Sequence, residues 1–141
     1  MNNNYPILAK PITRGKSDII ENYPVVTGGV AVGKAVSLQD DGTVALFDAT
    51  KPFHGVAGYV EINPTQQAVI RSGIDVPVIT DGTAITVGAT VYVTATGIFT
   101  GTATDNTQTG SKFKSVPLQG VNLKTGEIVD NVALIDFVGG L

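Results

Sequence analysis

A glycine- and valine-rich pattern occurs twice in this sequence, 55 residues apart, and it limits the possible folds more than any other feature. The stretch GGVAVGKAVSLQDDGTV at 28–44 aligns without a gap to residues within GTAITVGATVYVTATGIFT at 82–100. The matching positions are Val30 with Ile85, Val32 with Val87, Gly33 with Gly88, Val36 with Val91, Leu38 with Val93 and Gly42 with Gly97. In each copy, apolar residues alternate with small or polar ones before a glycine turn, which predicts a β-hairpin.

The composition agrees with an all-β protein. Valine, isoleucine and threonine are abundant, helical runs rich in alanine or in glutamate and lysine are missing, and 17 glycines serve as turn residues. A length of 141 residues corresponds to one ordinary domain. We expect a small β-barrel or a β-tulip-like sandwich with two pseudo-repeated hairpin units, built as a single domain over residues 28–141.

Residues 1–27 differ from the rest and predict an extended N-terminal arm. Prolines at positions 6, 11 and 24 exclude a continuous helix or a central strand. The segment nevertheless carries more apolar side chains than a free tail usually has, so we expect a partner to cover them. The apolar residues are Tyr5, Ile7, Leu8, Ile12, Ile19, Ile20 and Tyr23, and the cations Lys10, Arg14 and Lys16 lie among them.

Further strands are predicted between and after the hairpins. The stretches FHGVAGYVEI at 53–62 and AVIRSGIDVPVI at 68–79 are strand candidates, and Pro77 limits the second to an edge or a bulge. The stretch VALIDF at 132–137 is the most apolar and is expected in the core. The polar run at 102–115 shows no periodicity and is predicted to be an exposed loop.

Charge and cysteine content argue against several function classes. The net charge is −3 and only 15% of residues are charged, which gives no general attraction to nucleic acid or to an anionic membrane. Without cysteine, neither a disulfide nor a catalytic thiolate can form. No stretch approaches the roughly 20 apolar residues of a membrane span, and the N-terminus lacks the apolar centre of a signal peptide. We predict a soluble protein made in the cytoplasm.

Few side chains could support chemistry. His54 has no second histidine or cysteine with which to share a metal, so a structural or surface role is predicted. Asp40 and Asp41 fit a hairpin turn better than a calcium loop. Asp75 and Asp81 flank a valine-rich strand and could meet across a groove, although the sequence does not fix their separation. We predict no catalytic residue, no cofactor, no metal and no small-molecule substrate.

A family resemblance covers residues 28–101. After the first hairpin come a strand with Gly58, Tyr59 and Val60, a Gln-Gln-Ala step at Gln66, Gln67 and Ala68, and the second hairpin. In this order the chain resembles the capsid decoration, or structural cement, proteins of tailed bacteriophages. The resemblance implies a β-barrel that sits, commonly as a trimer, on the outer surface of a capsid where several major capsid subunits meet. An extended arm would lie on a neighbouring subunit.

We therefore expect a virion structural protein that stabilises the shell, with the major capsid protein as its partner and a homotrimer as its assembled form. The arm is the expected contact. We expect Tyr5, Ile7, Leu8, Ile12 and Tyr23 to bury against the capsid, and Lys10, Arg14 and Lys16 to meet acidic shell surface. Deletion of residues 1–24 is expected to leave a folded body that no longer decorates capsids.

Two alternatives stay open. The first is a phage tail, baseplate or surface-recognition β module, in which the run at 102–115 would carry recognition. The second is an enzyme, because RSGIDVPV at 71–78 resembles pieces of the deoxyuridine-triphosphate nucleotidohydrolase motifs, which sit on a trimeric β fold. The second carboxylate and the tyrosine that would close on a uracil ring are missing from the matching places, so the enzyme ranks last.

Overall fold

The computed structural model of the chain describes residues 7–8, 19–25, 29–60, 66–122 and 126–137. Within these residues the regular structure consists of eleven β-strands and includes no helix, which confirms the all-β class. The strands are β1 (Ile7–Leu8), β2 (Ile19–Pro24), β3 (Ala35–Leu38), β4 (Val44–Leu46), β5 (Gly55–Val60), β6 (Gln66–Ile79), β7 (Thr90–Val93), β8 (Phe99–Thr100), β9 (Thr107–Phe113), β10 (Leu118–Asn122) and β11 (Ile128–Phe137).

Eight of the strands form one continuous sheet in the order β4-β3-β5-β6-β11-β9-β7-β8. The other three strands lie off this path: β2 pairs with β6, β10 pairs with β11, and β1 pairs with β10. The path ends at β4 and at β8, so the described sheet is not closed into a barrel. Each end strand is instead met by a single parallel bridge, from Val25 to Val44 and from Thr80 to Phe99.

The strand order is the same when read outward in either direction from its centre. On each side of the central β6 and β11 pair lie one further strand, the first strand of a hairpin and the second strand of that hairpin. The two hairpins keep the same register at the 55-residue offset, since Leu38 pairs with Val44 and Val93 pairs with Phe99. The pseudo-repeated hairpin units predicted from the sequence are present.

Strand β9 lies inside the polar run that the sequence predicts as an exposed loop. It pairs with both β7 and β11, so that prediction is wrong for Thr107–Phe113. The inward positions of β9 are Thr107, Thr109, Ser111 and Phe113, of which the last two are buried. Three of these four residues carry hydroxyl groups, so no apolar alternation marks the strand in the sequence.

Strand β6 is 14 residues long and joins the two parts of the sheet. Its first half pairs with β2 on one side and β5 on the other, and its second half pairs with β11. The partner of β6 changes from β2 to β11 between two adjacent residues, since Ser72 pairs with Ile19 of β2 and Gly73 pairs with Phe137 of β11. Strands β2 and β11 therefore occupy successive stretches of β6.

Pro77 is tolerated in β6 because of the direction in which its nitrogen points. Its partner across the ladder is Leu134 of β11. Two residues later, the Ile79 N–H donates to the Gly33 carbonyl at 2.9 Å and not to β11. Residues two apart in a strand direct their amides to the same side, so the nitrogen of Pro77 also points away from β11. The N–H that proline lacks is therefore not needed for the hydrogen bonds between β6 and β11.

The main core fills the space between the two parts of the sheet. Its buried residues are Ala35, Phe47, Val56, Val76, Val78, Ile85, Val91, Val93, Phe99, Phe113, Ala133, Ile135 and Phe137. The ring of Phe53 contacts those of Phe99 and Phe137, with centroids 5.9 and 5.3 Å apart. Three members come from β11, which confirms the core position predicted for VALIDF. A smaller core consists of Val25, Val30, Val36, Val44, Ala57 and Val69, with Tyr23 packed against it.

Candidate interaction surface

The residues predicted to contact a capsid fall into three groups in the structure. Ile7 and Leu8 form β1, which pairs in parallel with Val121 and Asn122 of β10. Tyr23 lies in β2 and packs against the smaller core while its side chain stays partly exposed. The remaining five, Tyr5, Lys10, Ile12, Arg14 and Lys16, lie outside the residues that the structure describes.

Strand β2 extends along the first half of β6. The ladder is antiparallel and runs from Ile19 opposite Ser72 to Pro24 opposite Gln66. Among the described strands, β6 is the only one that pairs with β2. Ile19 is 55% exposed at the start of the strand. This part of the predicted arm is thus extended and lies on the body of its own chain.

Polar side chains join β2 to β6. The Arg71 Nη1 donates to Glu21 Oε1 at 3.0 Å and to the Tyr23 hydroxyl at 3.1 Å, and the Tyr23 hydroxyl donates to Glu21 Oε1 at 2.8 Å. The Arg71 side chain is 12% exposed and that of Glu21 is 49% exposed. The hydrogen bond from Tyr23 lowers the pKa of Glu21 below its usual 4.5, partial burial opposes it, and Arg71 acts in the same direction as Tyr23.

His54 completes this group of side chains, which we call the Arg71 cluster (Glu21, Tyr23, His54 and Arg71). Its ring meets the Tyr23 ring edge-on, with centroids 5.0 Å apart. Its Nε2 is buried and has no hydrogen-bond partner among the described residues. Burial, and next the positive charge of Arg71, lower the pKa of His54 below its usual 6.5. The imidazole is therefore held neutral, as a packing group would be.

The carboxylate pair at the first hairpin turn is engaged locally. Asp41 accepts hydrogen bonds from the Thr43 hydroxyl at 2.7 Å and the Thr43 N–H at 3.0 Å. These two bonds lower the pKa of Asp41. Asp40 forms an ion pair with Lys51 at 3.0 Å. Asp41 thus supports the hairpin turn, as the sequence predicts, and the exposed Asp40 pairs with a lysine outside the turn.

The other two aspartates have separate partners. Asp81 accepts from the hydroxyl and the N–H of Thr83, at 2.7 and 3.1 Å. Asp75 lies 3.1 Å from the Lys114 ammonium, which is also 3.5 Å from Asp136. No pairing of Asp75 with Asp81 is seen between the described side chains, so the geometry of an acid and base pair is not formed there.

Apolar side chains are exposed at several points of the body. Those at least 38% exposed are Ile19, Leu38, Leu46, Ile74, Val87, Val116, Leu118 and Ile128. Ile19 pairs with Ser72 of β6, and Ile74 follows two residues later in the same strand. In the described ranges no helix could span a membrane, and no group of three metal-ligating side chains occurs.

Sequence reasoning missed Arg71 and Glu21. The available signal was an arginine within the apolar run at 68–79, where a buried cation requires an acceptor. Glu21 could not be identified as that acceptor, because it lies 50 residues away and its position follows only from the pairing of β2 with β6.

An all-β body whose aspartates support turns and ion pairs, preceded by a basic segment with apolar residues, belongs to the class of structural binding proteins. The comparison with protein families gives the particular family. Residues 6–135 match the model of the family described as structural cement protein (E217 gp24/Pam3 gp6). The chain therefore belongs to the structural cement proteins and is a capsid-stabilising structural protein of the phage virion.

Solved structures give a similar fold. A chain from the capsid of Myoviridae phage XM1 superimposes with a TM-score of 0.70 and 18% sequence identity, over 100% of this chain and 96% of that chain. At this identity the likeness concerns the fold alone. No curated protein matches the chain in sequence. The family resemblance expected from the two hairpins and the Gln-Gln-Ala step is confirmed.

Proposed function

We propose that this cement protein binds the outer surface of the shell at junctions between major capsid subunits, and that its N-terminal arm provides the grip on a neighbouring subunit. The apolar contacts are Tyr5, Ile7, Leu8, Ile12 and Tyr23, and the basic contacts are Lys10, Arg14 and Lys16. Many equivalent sites act together, so a modest contact at each site stabilises the whole shell.

The distribution of charge carries this proposal. Residues 1–18 contain three of the nine cations and one of the twelve acidic residues, which gives a formal charge of +2. The remaining chain holds six cations against eleven acidic residues and has a charge of −5. A basic segment on an acidic body is suited to bind acidic surface on another subunit, because that surface attracts the segment and repels the body.

The topology of β6 supports an arm that begins before Ile19. Strand β2 ends its ladder opposite Ser72, and β11 takes up the pairing with β6 from Gly73 onward. Lengthening β2 toward the N-terminus along β6 would therefore collide with Phe137 of β11. We infer that residues 1–18 provide the main part of the grip and that β2, which carries Tyr23, attaches them to the body.

We further propose that three copies assemble around each junction and that the protein transforms no substrate. A homotrimer brings three arms to a point where several shell subunits meet, which raises the effective affinity without new contacts. The side chains that could have supported catalysis are engaged in turns, ion pairs and packing in the described structure.

Sedimentation with undecorated capsids tests the proposal. The variants are the full chain, a deletion of residues 1–18 that keeps β2, and a triple replacement of Lys10, Arg14 and Lys16 by glutamine. The matched control replaces Lys34, Lys51 and Lys112 on the body by glutamine, which changes the net charge equally. We expect the deletion to abolish co-sedimentation and the arm triple to weaken it about tenfold, the effect of three ion pairs at ~0.5 kcal/mol each.

The control triple is expected to bind like the full chain, within about threefold. Equal binding by the full chain and the deletion would refute the role of the arm, and equal loss in both triples would show that the location of the charge is irrelevant. Bound protein should be recovered in multiples of three copies per junction, and the unit should weigh three times the 14.6 kDa of one chain.

A further inference from the structure

The backbone hydrogen bonds of β2 would by themselves hold this strand only weakly. It has six residues, and β6 is its only partner among the described strands. It ends at Pro24, which has no N–H to donate, and it begins at the exposed Ile19. An edge strand of this length with one neighbour opens readily unless side chains hold it.

The Arg71 cluster supplies that hold from one face of β2. Glu21 and Tyr23 are two residues apart and therefore point to the same side of the strand, toward Arg71. The guanidinium bonds both side chains, and they also bond each other, so three contacts form a closed triangle. The Arg71 side chain is 12% exposed, and a guanidinium so nearly buried needs acceptors from the protein, which Glu21 and Tyr23 provide.

The same contacts select one register for β2. A shift by one residue would turn Glu21 and Tyr23 to the opposite face and bring Ile20 and Asn22 to the guanidinium. The shift would also separate the rings of Tyr23 and His54, which now lie edge-on. A guanidinium that binds two acceptors in a fixed plane discriminates against such a slip more strongly than a lysine ammonium would.

We propose that Arg71 is the positioning residue of the arm: by locking β2 to β6 in one register, it fixes the point at which the chain before Ile19 joins the body. This inference rests on the proposed function, since an arm must start from a defined point to reach the neighbouring shell subunit. The lock itself is a property of the free protein and can be measured without capsids.

Hydrogen exchange on the free protein tests the lock. The variants are Arg71→Met, which keeps an unbranched apolar stem and removes the guanidinium donors, and Arg71→Lys. The matched control is Lys114→Met, which removes another paired cation that does not contact β2. In Arg71→Met we expect the amides within residues 19–23 that bond to β6 to exchange roughly tenfold faster or more, while those of β11 keep their rate. In Arg71→Lys we expect partial protection, and in Lys114→Met unchanged exchange of β2.

Unchanged exchange of β2 in Arg71→Met would overturn the proposal, and so would an equal acceleration in β2 and β11, which indicates a general loss of stability. If Arg71→Met does not fold, Tyr23→Phe removes two of the three bonds of the triangle and leaves only the bond from Arg71 to Glu21, and faster exchange confined to β2 is again expected. On capsids, Arg71→Met should bind at least about tenfold more weakly than Lys114→Met. If the deletion of residues 1–18 binds normally, the proposed function fails while the exchange result still decides the lock.

Discussion

At the scale of single residues, Gln67 shows how a polar side chain can complete an apolar core. It is fully buried, and its amide replaces a missing strand neighbour for Val30. The Oε1 accepts from the Val30 N–H at 2.6 Å, and the Nε2 donates to the Val30 carbonyl at 2.6 Å and to the Gly58 carbonyl at 3.3 Å. A backbone segment without a ladder is thereby kept in the core with its polar groups paired.

We expect Gln67→Leu to lower the free energy of unfolding by about 2–4 kcal/mol, because it leaves a buried N–H and carbonyl unpaired. The control is Gln66→Leu, since Gln66 has the same side chain at the adjacent, partly exposed position. That change should cost less than about 1 kcal/mol. Chemical denaturation of the three proteins measures both values, and equal stability of the two variants would contradict the role of Gln67.

At the scale of elements, the two hairpins offer a comparison inside one molecule. Gly42 and Gly97 occupy equivalent turn positions with φ of +87° and +80°. A Cβ on Gly42 would have no atom within 4 Å, whereas one on Gly97 would lie 2.6 Å from Leu46 Cδ1 and 3.4 Å from the Ala35 carbonyl oxygen. The second turn therefore packs on the first hairpin, and the first turn is open to solvent.

We expect Gly42→Ala to cost about 1–2 kcal/mol for the left-handed backbone alone. Gly97→Ala should cost that amount and about 1 kcal/mol more, because Leu46 must shift from the turn. Thermal or chemical unfolding of the two variants gives the difference. A Gly97→Ala protein as stable as Gly42→Ala would show that Leu46 moves away from the turn without cost, which would contradict close packing of the second turn on the first hairpin.

The elements also show what the sequence could predict. Apolar alternation and glycine turns identified the hairpin of β3 with β4 and that of β7 with β8. The alternation of buried with partly exposed residues is clear in β7, whereas β3 and β8 have adjacent buried residues. Strand β9 could not be predicted in this way, because its inward positions include Thr107, Thr109 and Ser111, whose hydroxyl groups make the sequence read as polar. The Arg71 cluster could not be predicted, because its members meet only through the pairing of β2 with β6.

At the scale of the whole molecule, the open sheet and the arm differ in charge. The sheet encloses a main core and a smaller core and has a symmetric strand order about β6 and β11. The arm carries a net charge opposite to that of the body and starts where β11 ends the available edge of β6. On the proposed function, a cement protein built this way adds contact area at shell junctions.

The central claim is that binding stabilises the shell, and heating DNA-filled capsids tests it most directly. Undecorated particles are mixed with saturating full chain or with the deletion of residues 1–18, and a DNA-binding dye reports the temperature at which the genome is released. We expect the full chain to raise the release temperature and the deletion to leave it at the value of undecorated particles. Full occupancy of the particles by the full chain with no change in release temperature would contradict the cement role.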